Sequence, residues 1–170
     1  MTSCAREVTA RLTGIRNCFG SECVHDGLDL VLPAGRITAL VGGSGSGKTV
    51  LLRTLAMLHE PDAGSVELFG VEASRCGERR RRELRRGIGM LFQGGALFTA
   101  LTVLENVMLP LREHTRLRGT WLKELAMSKV LLAGLPADSA GKYPAALSGG
   151  MVKRAALARE IGRAAGRERV

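Results

Sequence analysis

The chain has 170 residues, of which 45% are hydrophobic and 24% are charged, a length and composition that suit one domain with a packed core. No apolar run approaches the roughly eighteen residues that a membrane span requires. The first residues lack the basic-then-apolar order of a signal peptide. We therefore expect a cytosolic protein.

The formal charge of +9 leaves nucleic-acid binding open as a function. Its arginines concentrate in residues 79–86 and in the tail, residues 163–169. A basic helix without interleaved aromatic residues is typical of a solvated face. Contact with anionic lipid headgroups or with nucleic acid remains as an alternative.

The four cysteines, Cys4, Cys18, Cys23 and Cys76, include no CxxC pair and no spacing to histidine that suits zinc. We predict that all four are free thiols.

Alternating apolar and polar residues predict strands at residues 8–12 and 27–32, joined by a turn around residues 19–22. A tight turn at residues 33–35 follows. The β-branched apolar run at residues 36–41 then predicts another strand.

The next segment reads GGSGSGKT, a full match to the phosphate-loop pattern GxxxxGK[ST]. Its members are Gly42, Gly43, Ser44, Gly45, Ser46, Gly47, Lys48 and Thr49. Backbone N–H groups of such a loop cradle phosphate oxygens, while Lys48 reaches the outer phosphates and the Thr49 hydroxyl holds Mg²⁺. Residues 50–58 have helical spacing, and a helix that begins here adds its dipole to the site. The sequence therefore predicts a nucleotide-binding site.

Beyond this helix, residues 60–64 predict a turn and residues 65–69 a strand. The arginine-rich segment predicts a helix that ends before Gly87, and residues 88–92 predict a short buried strand.

From Gly94 onward the pattern becomes helical. Thr102 is a candidate helix cap with Glu105 three residues later, and residues 121–135 repeat their apolar positions every 3.6 residues. Ser148 is predicted to cap a last helix over residues 149–165. A mixed α/β part thus precedes an all-helical part.

Two further motifs follow the phosphate loop along the chain. The segment 147–150 reads LSGG before a helix, and the segment 90–93 reads MLFQ. With these three motifs in order, residues 8–160 resemble the nucleotide-binding domain of ATP-binding-cassette (ABC) transporters. LSGG is similar to the signature motif of that family, and Gln93 to its glutamine loop.

The resemblance implies an α/β fold, a P-loop NTPase with an ABC-type helical subdomain, here with the C-terminal part of the core sheet missing. It divides the chain into an ATP-binding α/β core at residues 1–93 and a helical subdomain at residues 94–147. Residues 148–170 are then the signature helix and a divergent basic tail.

The family also implies ATP and Mg²⁺ as ligands. Phe19 looks like the aromatic residue that stacks on adenine, and Gln93 would contact Mg²⁺ and the attacking water. Two such domains pair head to tail in the family, so the signature residues would serve the ATP held by a second nucleotide-binding domain. Those residues are Ser148, Gly149 and Gly150.

The segments 91–107 and 109–114 are similar to ATPases that energise lipid trafficking with MCE-type partners. This finer resemblance implies an ATP-binding subunit for transport of lipids or other hydrophobic molecules. Its partners would be a transmembrane permease and an MCE-type lipid-binding protein, and its location the cytoplasmic face of the membrane.

The resemblance stops before the catalytic carboxylate. About twenty residues beyond the signature, the family carries an apolar strand ending in Asp-Glu, which supplies a Mg²⁺ ligand and polarises the attacking water, and a switch histidine follows. Residues 160–170 are instead polar and basic, and the chain contains no Asp-Glu pair. We therefore assign no catalytic residue and expect a truncated domain: a fragment, a partial gene or a frameshifted product.

Other residues do not replace this carboxylate or the switch histidine. His25, His59 and His114 precede the signature and are predicted to be surface or turn residues. Glu168 lacks an apolar strand around it.

Two alternatives remain. A truncated nucleotide-binding module could bind ATP without hydrolysing it. ABC-type ATPases of DNA repair, chromosome structure or translation are disfavoured, because the segment between Gln93 and Ser148 is compact and carries no metal ligands.

Overall fold

The computed structural model describes the backbone of residues 8–165 and the side chains of residues 8–162. The structure contains two compact units, one that ends at Ile88 and one that begins at Gly89. The predictions for Cys4, for Glu168 and for the end of the basic tail lie outside the described residues.

The first unit is built on an antiparallel sheet with the strand order β2-β1-β3-β4. Its elements are β1 (Val8–Phe19), β2 (Glu22–Pro33), α1 (Lys48–Leu55), β3 (Ala63–Leu68), β4 (Val71–Glu72), a 3-10 turn (Ala73–Arg75) and α2 (Glu78–Arg85). The predicted strands near residues 8–12, 27–32 and 65–69 are confirmed, as is the turn between β1 and β2. The helix predicted at residues 50–58 begins at Lys48 and ends at Leu55.

β1 is longer than its alternating pattern predicts, because it is hydrogen-bonded on both edges, to β2 and to β3. Its buried side chains pack against α1, β3 and the region of α2. The core of this unit consists of Ala10, Leu12, Ile15, Leu51, Val66, Leu68, Ala73 and Leu84.

The predictions of strands at residues 36–41 and 88–92 are wrong. Neither segment is paired with another strand among the described residues, and both are irregular. Ile37 is fully exposed, and Leu91 and Phe92 are about half exposed, so the second segment is not buried either. An apolar run becomes a strand only where a neighbouring strand accepts its backbone hydrogen bonds.

The prediction of free thiols is wrong for Cys18 and Cys23, which form a disulfide. The register of β1 with β2 places the two cysteines directly opposite each other, with their Cα atoms 3.9 Å apart. Spacing rules for zinc and CxxC motifs miss such a pair because it depends on cross-strand register. Cys76 is free and half-buried, as predicted.

The arginine-rich segment forms α2, as predicted, and its exposed side chains make ion pairs along the helix. Arg79 and Arg80 contact Glu83, and Arg85 contacts Glu78. Surface pairs of this kind contribute little to stability.

The second unit is helical. Its elements are α3 (Val103–His114), α4 (Gly119–Leu132), two 3-10 turns (Ala137–Gly141 and Pro144–Ala146) and α5 (Gly149–Ala165). Its core consists of Val103, Val107, Leu111, Leu122, Ala126, Val130, Leu135, Ala155 and Ala158. The alanines of α5 let α3 and α4 pack closely against it. Within residues 8–165 we find no helix with the length and hydropathy needed to cross a membrane.

The predicted cap of α3 is confirmed as a reciprocal capping box. The Thr102 hydroxyl accepts from the Glu105 backbone N–H at 3.3 Å, and the Glu105 carboxylate accepts from the Thr102 N–H at 2.8 Å. The hydrogen bonds that the Glu105 carboxylate accepts, first from the Thr102 backbone N–H and then from the Thr102 hydroxyl at 2.8 Å, lower the pKa of Glu105 below its usual value. Two N–H groups at the helix start are thereby satisfied.

We predict that Thr102→Ala lowers the free energy of unfolding by about 1 kcal/mol, because it removes the cap hydroxyl. Urea denaturation would measure this change. The matched control is Thr120→Ala, in the first turn of α4, which has no capping side chain. Equal effects of the two substitutions would contradict the capping role of Thr102.

Candidate phosphate-binding site

The phosphate-loop motif ends in a helix start that is open to an anion. α1 begins at Lys48, and its N-cap Gly47 has a left-handed backbone (φ 81°) and no capping side chain. No acidic residue lies in the first turn. The first N–H groups of a helix lack intrahelical acceptors, and with the helix dipole they form a natural phosphate site.

The Lys48 ammonium is hydrogen-bonded to atoms of its own loop. It donates to the carbonyl of Gly42 at 2.8 Å, to the carbonyl of Gly43, and to Ser46 Oγ at 3.1 Å. Phosphate oxygens form stronger, charge-assisted hydrogen bonds with an ammonium than neutral carbonyls do. The donor groups of the loop thus suit a phosphate, and the Thr49 hydroxyl, one residue into α1, would be the group available to a magnesium ion bound with it.

Gly47 is required by close packing as well as by its backbone. A Cβ added there would lie 2.3 Å from Val24 Cγ1 and 2.6 Å from His25 Nε2. By contrast, a Cβ at Gly43 would meet no atom within 4 Å. The loop thus rests directly on β2 at Gly47.

Behind the loop lies a buried polar group of three side chains from three elements. Asn17 Nδ2 lies 3.0 Å from His25 Nδ1 and donates to Thr54 Oγ1 at 3.3 Å, and Thr54 donates to the Val50 carbonyl at 3.0 Å. Asn17 and Thr54 are almost fully buried, and His25 is 6% exposed. These bonds connect β1 and β2 to α1, the helix that carries the phosphate loop.

The prediction that His25 is a surface or turn residue is wrong, because the β1–β2 register turns it inward opposite Asn17. Burial, and to a lesser degree the nearby His59, lowers the pKa of His25 below 6.5. Its Nδ1 therefore acts as the acceptor for Asn17 in the neutral ring. His59 lies in the turn after α1, and His114 is the last residue of α3.

Phe19, the candidate adenine-stacking residue, ends β1 and is 51% exposed. Its ring stacks on His59 with centroids 5.6 Å apart and an interplanar angle of 23°. An aromatic ring that remains half exposed is suited to stacking on a base.

Gln93 and the signature residues lie in the second unit, whereas Phe19 and the phosphate loop lie in the first. Gln93 is exposed in a turn closed by a bond from the Gly95 N–H to the Phe92 carbonyl, at 2.8 Å. Arg159 of α5 fixes this turn by donating to the carbonyls of Ala96 at 2.6 Å and Gly95 at 3.3 Å.

At the signature, the predicted cap is confirmed: Ser148 Oγ accepts from the Met151 N–H at 3.3 Å. Gly149 and Gly150 are exposed, and a Cβ at either would meet no atom within 4 Å. The start of α5 is therefore sterically open.

Sequence reasoning missed four residues that shape these loops. Asn17 and His25 support α1, and Arg159 holds the glutamine turn. Asn106, fully buried, accepts from the Phe98 N–H and donates to the carbonyls of three residues in the loop before α3. The available signal was a polar residue within an apolar periodic segment, which sequence alone does not pair with a partner.

Comparison with known proteins identifies the family of the chain. The sequence profile of the ABC transporter family matches residues 25–165. MlaF of Escherichia coli, an intermembrane phospholipid transport ATP-binding protein, is 44% identical over 142 residues, which are 84% of this chain and 52% of MlaF. Mkl of Mycobacterium tuberculosis, named a probable ribonucleotide transport ATP-binding protein, is 38% identical over 154 residues, 91% of this chain and 43% of Mkl.

Solved structures show the same fold. The dimeric structure of MJ0796, a bacterial ABC transporter cassette, superposes with a TM-score of 0.83 at 29% identity, and covers 91% of this chain and 69% of that one. A second structure of MJ0796, in a post-hydrolysis state bound to ADP and Pi, gives a TM-score of 0.82.

The chain belongs to the ABC transporter family, and its fold is that of an ABC cassette. It spans about half the length of the curated relatives that it matches.

We predict that Gly47→Ala destabilises the first unit by about 1–3 kcal/mol, because it forces an unfavourable φ and a collision with Val24 and His25. Chemical denaturation would measure the loss. Gly43→Ala is the matched control within the same loop and should change stability little. A Gly47→Ala variant as stable as Gly43→Ala would refute this packing.

We also predict that stability falls as the pH drops below 6.5. With its pKa lowered in the folded state, His25 binds a proton more readily when unfolded, so acid favours unfolding in this range. The contribution is complete above pH 6.5 and is lost as the pH falls through the folded pKa. Urea denaturation between pH 7.5 and 5.5 would show a decline that His25→Gln reduces and the control His114→Gln leaves in place.

Proposed function

We propose that this chain is the ATP-binding subunit of an ABC transporter, which couples ATP binding and hydrolysis to movement of lipids or other hydrophobic molecules across a membrane. The observation that carries the proposal is the phosphate loop. The helix that follows the loop has no capping side chain, and the Lys48 ammonium is hydrogen-bonded within the loop. Gly43 and Gly45 leave open space that lets a phosphate approach the backbone.

In this proposal the triphosphate binds the N–H groups of the loop and of the first turn of α1. The Lys48 ammonium exchanges its carbonyl partners for outer phosphate oxygens, and the Thr49 hydroxyl contributes to binding Mg²⁺. The free face of Phe19 stacks on adenine. By its resemblance to the glutamine loop of the family, Gln93 would contact Mg²⁺ and the attacking water.

A second nucleotide-binding domain completes the site. Ser148, Gly149 and Gly150 leave the start of α5 uncovered, which suits approach by ATP bound to another copy or homologue. The structural relative MJ0796 forms a dimer.

The lipid assignment is supported by the similarity to MlaF, whose name specifies phospholipid transport, and by the segments around residues 91–114. The name of Mkl specifies ribonucleotides instead. We propose the lipid class because the identity to MlaF is higher. The partners would be a transmembrane permease and an MCE-type lipid-binding protein, with this subunit peripheral at the cytoplasmic face.

A second candidate is a nucleotide-binding module that binds ATP without hydrolysing it. It requires only the phosphate loop with its uncapped helix start and its lysine, which these residues supply. Measuring binding and phosphate release on the same purified chain distinguishes the two. Release of phosphate that depends on Lys48 supports hydrolysis, and ATP-dependent stabilisation without release supports the module.

We predict that Lys48→Ala weakens ATP binding roughly 10- to 100-fold, the value of one or two charge-assisted hydrogen bonds. Isothermal titration with Mg²⁺-ATP would measure it. Lys123→Ala, an exposed lysine of α4, is the control and should bind as the unmodified chain does. Unchanged affinity in the folded Lys48→Ala variant would refute the role of the loop.

A further inference from the structure

The tip of the β1–β2 hairpin carries a covalent link that the proposed function does not use. The Cys18–Cys23 disulfide lies one residue pair below the two-residue turn at Gly20 and Ser21. Cys23 is exposed and Cys18 is half-buried, so Cys23 is the more accessible of the two residues.

The disulfide follows a break in the strand register. Asn17 pairs with His25, whereas Cys18 pairs with Cys23, so Val24 is an extra residue at this point of β2. A bulge interrupts the ladder, and a one-residue slip beyond it would turn the tip side chains to the opposite face. The covalent bond fixes the register in the short tip, where only two residue pairs remain.

That tip positions Phe19, the next residue after Cys18. Two contacts tie this segment to the turn after α1: the stack of Phe19 on His59, and a 2.7 Å hydrogen bond from the Cys18 N–H to Asp62 Oδ2. Both contacts are made by the end of β1 that the disulfide joins to β2.

We propose that Cys18–Cys23 is a thiol–disulfide exchange site, whose reduction by a dithiol weakens ATP binding by releasing the Phe19 ring from its position. The inference rests on the proposed function, since it takes Phe19 as the residue that stacks on adenine. The reductant is defined by its chemistry, two thiols that together supply two electrons.

The exchange takes place in two steps, each the attack of a thiolate on a disulfide sulfur. One thiolate of the dithiol attacks the sulfur of Cys23, the more exposed residue, and forms a mixed disulfide, while Cys18 leaves as a thiolate and takes a proton. The second thiol of the reductant then loses its proton and attacks the reductant's first sulfur, which is bonded to Cys23 in the mixed disulfide. This releases Cys23 as a thiol, and the reductant departs oxidised. Arg16 Nη2 lies 3.9 Å from Cys23 Sγ, and the Arg16 guanidinium is also paired with Asp26 at 3.4 Å.

The first measurement establishes the bond and its accessibility. The purified chain is alkylated before and after treatment with dithiothreitol under native conditions, and the peptides are analysed by mass spectrometry. We expect Cys18 and Cys23 to be protected before treatment and alkylated after it, while Cys76 does not depend on the dithiol. Alkylation of Cys18 and Cys23 without reductant, or protection that persists in native dithiothreitol, would overturn the proposal.

The second measurement is ATP affinity of the oxidised and the reduced chain. We expect reduction to weaken binding roughly three- to tenfold, the value of an aromatic stacking contact. The Cys18→Ser/Cys23→Ser variant should bind weakly with or without dithiothreitol, whereas Cys76→Ser, the matched control, should respond as the unmodified chain does. In Phe19→Ala, reduction should change affinity little.

The outcomes separate this inference from the proposed function. If the oxidised and reduced chains bind ATP equally, the exchange site has no role in binding, and the proposed function stands. If reduction weakens binding equally in Phe19→Ala, the ring is not the element released, and the proposal is overturned. If the oxidised chain does not bind ATP at all, both proposals fall.

Discussion

The pairing of β1 on both of its edges is the constraint on which the first unit depends. This strand lies between β2 and β3, and its buried face supplies the core beneath α1. Its register with β2 also sets Asn17 opposite His25 and Cys18 opposite Cys23. One ladder of backbone hydrogen bonds thus determines the support of the phosphate loop, the covalent tip of the hairpin and the position of Phe19.

The second unit depends instead on α5, and here side chains rather than strands hold the functional loops. Ala155 and Ala158 allow close helix packing, and Arg159 on the same helix donates to the carbonyls of the glutamine turn. Asn106 of α3 accepts from the Phe98 N–H and donates to the Phe98 carbonyl, and so holds the loop that precedes α3. Loops without a ladder must satisfy their backbone groups in this way, so these polar residues are structural requirements of the site.

Local features of the chain were predictable to a large extent. The capping residues Thr102 and Ser148, the end of α2 before Gly87 and the turn between β1 and β2 follow from short-range hydrogen bonding and backbone preferences. The strands predicted at residues 36–41 and 88–92 failed because a strand requires a neighbour that a local pattern does not specify. The roles of the phosphate loop, Gln93 and Ser148 in nucleotide binding stay predictions.

The sequence by itself determined the family of this protein and predicted the chemistry of its site. The phosphate-loop motif, LSGG and the glutamine segment have their meaning in residue types at fixed short spacing, because backbone N–H groups and a lysine in that order define an anion site. Only the tertiary structure decided which distant side chains meet. Cross-strand register made a disulfide of Cys18 and Cys23 and buried His25 beside Asn17, because a single residue of shift between strands changes every pair they form.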